Sequence, residues 1–106
     1  MAARSNEATV SATVDRLIHE PSRLAIMTNL FIVESANATY LLSQTQLTWG
    51  NLGSHLSKLE EAGYVVIAKG YNGKKPQTTI SLTAEGRSAL VDYRDQLLAA
   101  LAPVAD

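Results

Sequence analysis

Residues 39–65 read TYLLSQTQLTWGNLGSHLSKLEEAGYV, and the fold turns on this stretch. At about 100° per residue, Leu52, Leu56 and Leu59 fall together on one side of a helix and face a core. Asn51, Ser54, His55 and Lys58 recur at i, i+3, i+4 and i+7 on the opposite flank, a stripe of amide, hydroxyl, imidazole and ammonium groups. Thr48 stands where an N-cap is needed, and Gly63 is suited to the left-handed residue that closes such a helix. The preceding TYLLSQTQ reads as a shorter helix capped by Thr39. Two helices joined by a tight connection result.

Downstream, YVVIAKG has strand composition, YNGKKP carries Asn-Gly and Pro turn signals, and QTTISL alternates again, which predicts one β-hairpin. Thr83 caps a last helix with Glu85 in its first turn and an apolar stripe of Leu90, Tyr93, Leu97 and Leu101. Upstream, Val10, Val14, Leu17 and Ile18 recur at helical spacing and predict a first helix ending near His19. Pro21 opens a second helix, SRLAIMTNLFIVE, whose Leu24, Met27, Leu30, Phe31 and Val33 make it the buried one. SANA reads as a loop. Residues 1–8 read as a disordered or frayed polar arm, and 9–106 are expected to make one domain.

The chain has 106 residues, 46% apolar and 18% charged, which fits one globular domain. It holds no apolar run long enough to cross a bilayer or to serve as a signal-peptide core, so the expected compartment is the cytoplasm. Without cysteine, disulfides, thiolate nucleophiles and sulfur-ligated zinc are excluded. The net charge is −1, but it is unevenly spread. From Ser35 to Ala84, Lys58, Lys69, Lys74 and Lys75 against Glu60 and Glu61 give +2, while the remainder carries −3. A basic middle of this kind is an electrostatic footprint for a polyanion, or a solvated hairpin.

A short helix, a tight turn, a second helix and a basic hairpin make a winged helix-turn-helix, mainly α with a small β-hairpin, in which the second helix enters the major groove of DNA. The residues carry a further resemblance. LTWGNL, HLSKLEEAGYV, GKKPQT and SLTAEGR, within Pro21 to about Tyr93, resemble the small single-domain winged-helix transcription regulators related to the MarR and ArsR groups. That resemblance implies a homodimer bound to operator DNA, and Arg23 reaching a phosphate. The residues alone also allow Arg23 a salt bridge to Glu20 or Asp15.

The DNA-facing candidates are therefore Arg23, Thr48, Gly50, Asn51, Ser54, His55, Lys58, Lys74 and Lys75. An amide such as Asn51 can pair with adenine N6 and N7, whereas Lys58 can reach guanine or a phosphate. Lys74 and Lys75 at the hairpin tip can follow the phosphate backbone or enter the minor groove. Gly50 and Gly53 each cost about 1 kcal/mol inside a helix, which argues for close backbone approach. The chain departs from the relatives at Gly53, at Trp49, expected to pack against the helix pair, and at Gln77, where an arginine is usual.

Val10, Val14, Leu17, Leu90, Tyr93, Leu97 and Leu101 are the candidate dimer interface, because the terminal helices carry more apolar surface than one small domain covers. His19 and Glu20 are adjacent rather than at ligand spacing, so His19 reads as a cation at a helix C-terminus and no metal or cofactor is expected. Ser54-His55 lacks a nucleophile elbow and an orienting acid, so no catalytic residues are assigned. The alternative to a DNA-binding regulator is a winged helix that serves as a protein-interaction module.

Overall fold

The computed structural model describes residues 14–105; Val10 and the expected arm at 1–8 lie outside them. The elements run α1 (Pro21–Val33), β1 (Ser35–Asn37), α2 (Ala38–Thr45), α3 (Trp49–Glu61), β2 (Val65–Asn72), β3 (Lys75–Leu82) and α4 (Ala84–Leu101). This is the winged helix-turn-helix expected from the sequence, an α+β fold of four helices and a small antiparallel sheet.

Local chemistry places most of the boundaries. Pro21 opens α1 behind Glu20, whose carboxylate accepts the Arg23 backbone N–H at 2.8 Å. α2 is capped by Asn37 rather than Thr39: the Asn37 amide oxygen accepts the Tyr40 N–H at 2.8 Å, and Thr39 sits within the first turn. Gln46, at φ 61°, turns the chain out of α2, and Thr48 caps α3. α3 closes with the Gly63 N–H bonded to Glu60 O and the Tyr64 N–H bonded to Leu59 O, both at 2.9 Å, with Gly63 at φ 82°. That pairing is a Schellman motif, and it satisfies carbonyls that the helix end leaves over.

The sheet has order β1-β3-β2. Its hairpin pairs Asn72 with Lys75, so the two-residue loop is Gly73-Lys74, with Gly73 at φ 66° as the turn requires. β1 corrects the reading of SANA as a loop: Ser35, Ala36 and Asn37 pair with Ser81, Ile80 and Thr79. Three residues of low strand propensity carry no signal of their own, and the open edge of β3 recruits them.

Ile18, Ile26, Met27, Leu30, Leu41, Leu52, Leu59 and Ile80 are fully buried and make one core. Two expectations are corrected around it. Phe31, Ile32 and Val33 are exposed, because the last turn of α1 runs past the helices and sheet that cover its earlier residues; the Arg87 guanidinium covers the Phe31 ring at 4.9 Å. Over the described residues, the expected first helix is a turn. The Asp15 carboxylate accepts the N–H groups of Leu17 and Ile18 at 2.9 and 3.2 Å and caps a single turn, which Glu20, held extended ahead of Pro21, cuts short.

That turn is fastened to the body by two side-chain bonds. The Tyr64 hydroxyl donates to Asp15 at 2.5 Å, and His19 Nδ1 lies 2.8 Å from the Tyr93 hydroxyl. His19 is thus a partner of Tyr93, and the helix end at which the sequence places it is a turn over the described residues. The hydrogen bond to Asp15, helped by burial and the negative charges nearby, pushes the Tyr64 phenol up to about 12.

A four-residue junction joins α4 to the end of α3. The Thr83 hydroxyl accepts the Gly86 N–H at 2.8 Å and donates to Gly63 O at 2.6 Å, while the Thr83 N–H donates to Tyr64 O at 3.0 Å. Gly86 is pressed against the same carbonyl: a Cβ there would stand 2.1 Å from Tyr64 O. Only glycine fits.

Candidate nucleic-acid interface

The cap on α3 sets the start of the presented helix. Thr48 Oγ1 accepts the Asn51 N–H at 3.2 Å, and the side chains of Asn51, Ser54 and Lys58 follow on the exposed flank. Leu52, Leu56 and Leu59 are buried on the other side, as the spacing predicts. Nothing lies within 4 Å of where a Cβ would stand on Gly50 or Gly53. The glycines therefore serve no packing purpose inside the chain, and they leave the first turns of α3 with a bare outer surface.

His55 differs from the rest of the polar stripe. Its side chain is only 19% exposed, and its Nδ1 lies 3.1 Å from Arg23 Nη1 and 3.9 Å from the Glu20 carboxylate. A guanidinium can only donate, so Nδ1 accepts and the imidazole proton sits on Nε2. Arg23 also donates from Nε to Leu17 O at 2.6 Å. Both side chains are thus engaged in tying α3 to the start of α1, and among the described residues the Arg23 guanidinium makes these contacts instead of the salt bridge to Glu20 or Asp15 that the sequence allows. Burial pushes the Glu20 carboxyl up, but the Arg23 backbone N–H, with the Arg23 charge and the Ser22 N–H, more than reverses this and holds it below the usual range.

The wing places Lys74 in the turn and Lys75 in the first pair of β3, both exposed, with Tyr71 exposed beside them on β2. Trp49 overturns its expectation of packing: it stands at the first residue of α3, 64% exposed. Its position lies about 160° around the helix from Asn51, toward the wing rather than the core.

The candidate interface between copies divides into two parts. Val14 and Tyr93, 5% and 4% exposed, belong to the chain's own core, and Leu17, Leu90 and Leu97 pack partly against it. Leu101 is exposed, and Leu98 is exposed beside it. Between α1 and α4 an apolar groove of about 320 Å³ is lined by Leu24, Thr28, Phe31, Leu90, Leu97 and Leu98, among others. No cluster of three or more metal-ligating side chains occurs among the described residues, and none of their helices is long and apolar enough to cross a membrane.

The fold defines the winged-helix class, and the comparisons with known proteins give it a family. Residues 22–101 match the winged helix DNA-binding domain family, and the chain belongs to it. An uncharacterized protein of Methanocaldococcus jannaschii is 34% identical over 83 residues, which cover 78% of this chain and 90% of that one. A transcriptional regulator homologue from Pyrococcus horikoshii superposes with a TM-score of 0.81 at 27% identity, covering 87% of this chain and 91% of the other. A Bacillus cereus protein described as a MarR-like transcription regulator shares the fold, with a TM-score of 0.60 at 17% identity over 99% of this chain and 81% of that one.

Proposed function

We propose that the chain is a sequence-specific transcriptional regulator that binds a pseudo-palindromic operator as a homodimer in the cytoplasm. The observation that carries this reading is the exposed flank of α3, where Asn51, Ser54 and Lys58 stand free of the core beside a wing bearing Lys74 and Lys75. α3 enters the major groove and Asn51 and Ser54 read base edges, while Lys58 and the wing lysines neutralise phosphates. His55 and Arg23 set the angle at which α3 leaves the body. Leu98 and Leu101 on α4, with the adjoining apolar groove, supply the surface that a two-fold partner covers. Two copies then present two α3 helices to successive half-sites about one helical turn apart.

Salt titrations on duplexes from the gene's own upstream DNA and on scrambled duplexes test the reading. Changing Lys74 and Lys75 to Ala weakens binding to both duplexes and flattens log K against log salt by roughly 0.9 for each phosphate no longer neutralised. Asn51→Ala costs about 1–3 kcal/mol on the specific duplex and little on the scrambled one. A chain that binds neither duplex at low salt is a protein-interaction module instead.

A further inference from the structure

Trp49 is the only tryptophan of the chain, and it is left largely in water at the head of the helix that the proposed function places in DNA. An indole is among the costliest side chains to leave uncovered, and its ring offers a flat apolar face with a single N–H donor at the edge. The surroundings of Trp49 are specific. It opens a groove of about 680 Å³ between α3 and the wing, whose other walls include Gly53 and Ser57 of α3, Lys69 of β2 and Thr78 of β3. Lys69 and Thr78 are register partners across the hairpin. Glu60, also on the groove, lies eleven residues along α3, roughly 16 Å from Trp49 along the axis.

In double-stranded DNA one sugar–phosphate strand separates the major groove from the neighbouring minor groove. A protein that sets a helix in the first and a hairpin in the second must straddle that strand, which therefore passes between the two elements. Resting on the reading that α3 and the wing grip DNA in this way, we propose that the groove between them seats the intervening sugar–phosphate strand, with the Trp49 ring packed on deoxyribose and Lys69 paired with a phosphate. Charge favours this occupant. The wing contributes Lys69, Lys74 and Lys75 and no acid, and the positive end of the α3 dipole lies beside Trp49. Glu60 repels phosphate from the far end and so confines the strand to the Trp49 end. Gly53, without a Cβ, leaves room for the strand next to the indole.

Because Trp49 is the sole tryptophan, its emission reports directly on the groove. Duplex binding is followed independently by anisotropy of a fluorescein-labelled duplex, and tryptophan emission is titrated with the same duplex unlabelled. The emission is expected to be quenched over the DNA concentrations at which anisotropy rises, on upstream and scrambled duplexes alike. Trp49→Ala is expected to weaken both by roughly tenfold without altering the salt slope, since an apolar contact releases no counterions, and Trp49→Phe to retain most of the affinity. Lys69→Ala is expected to flatten the slope by about 0.9 for the phosphate it leaves unpaired. Anisotropy that rises while the emission stays unchanged overturns the seat and leaves the DNA reading standing. A Trp49→Ala loss confined to the upstream duplex makes Trp49 a base reader and overturns the assignment to the backbone. Failure of the unaltered chain to bind any duplex at low salt overturns both.

Discussion

Arg23 Nη1 stands 3.1 Å from Nδ1 of His55, joining the first turn of α1 to the middle of α3 across 32 positions of sequence. This contact turns a residue of the polar stripe into a brace, since an imidazole held at Nδ1 can only offer Nε2–H outward. A double-mutant cycle of Arg23→Ala and His55→Ala, read by thermal unfolding, is expected to return a coupling of about 1 kcal/mol. Additive effects would mean that the two side chains act separately.

The glycines of the chain divide by what surrounds them. Gly86→Ala puts a Cβ 2.1 Å from the Tyr64 carbonyl oxygen, and it is expected to cost at least about 2 kcal/mol, because backbone rather than a pliable side chain must move. Gly50→Ala and Gly53→Ala meet nothing within 4 Å, so each is expected to stabilise the fold by up to about 1 kcal/mol. If the bare surface of α3 exists for close approach to DNA, the same two variants bind duplex more weakly while melting later. Unchanged affinity would leave the two glycines without that explanation.

The bond from Tyr64 to Asp15 predicts a pH effect with a defined sign. The folded phenol keeps its proton up to about 12, against an ordinary value of 10.0. The stabilisation from this group is therefore whole below pH 10 and fades as pH rises from 10 through about 12. Tyr64→Phe is expected to lower stability at neutral pH by about 1 kcal/mol and to remove part of the alkaline loss. Equal alkaline sensitivity of the two chains in denaturant titrations at pH 9 and pH 11.5 would refute the assignment.

Association through α4 is tested at its exposed end. Truncation after Asp92 would remove Tyr93, which is 4% exposed, and so would damage the fold along with any interface. Leu98→Asp together with Leu101→Asp touches only exposed positions, and is expected to give a folded monomer by light scattering with strongly reduced affinity for a two-fold operator. A double variant that remains a dimer places the interface elsewhere.

The elements that declare themselves in the sequence are those fixed by near neighbours. Thr48, Gly63 and Thr83 act on residues within about one turn, so capping chemistry alone locates the ends of α3 and the start of α4. Leu52, Leu56 and Leu59 likewise announce the inner face of α3 through spacing. β1 does not, because Ser35, Ala36 and Asn37 become a strand only when β3 offers them an edge. The Glu20 cap is within reach of the sequence: an acid directly before Pro21, three residues ahead of Arg23, is a helix-start pattern. For the site, Asn51, Ser54 and Lys58 follow from the wheel. The engagement of His55 by Arg23 and the exposure of Trp49 depend on how α1 and the wing lie against α3, and spacing within one helix carries no information about that.

The junction at Gly63, Tyr64, Thr83 and Gly86 has a mechanical meaning. Two hydrogen bonds, from the Thr83 hydroxyl to Gly63 O and from the Thr83 N–H to Tyr64 O, and a carbonyl seated against a bare Cα join the end of α3 to the beginning of α4. If α3 and α4 move as one piece across this junction, a rotation of α4 is carried into α3 and with it the amide of Asn51.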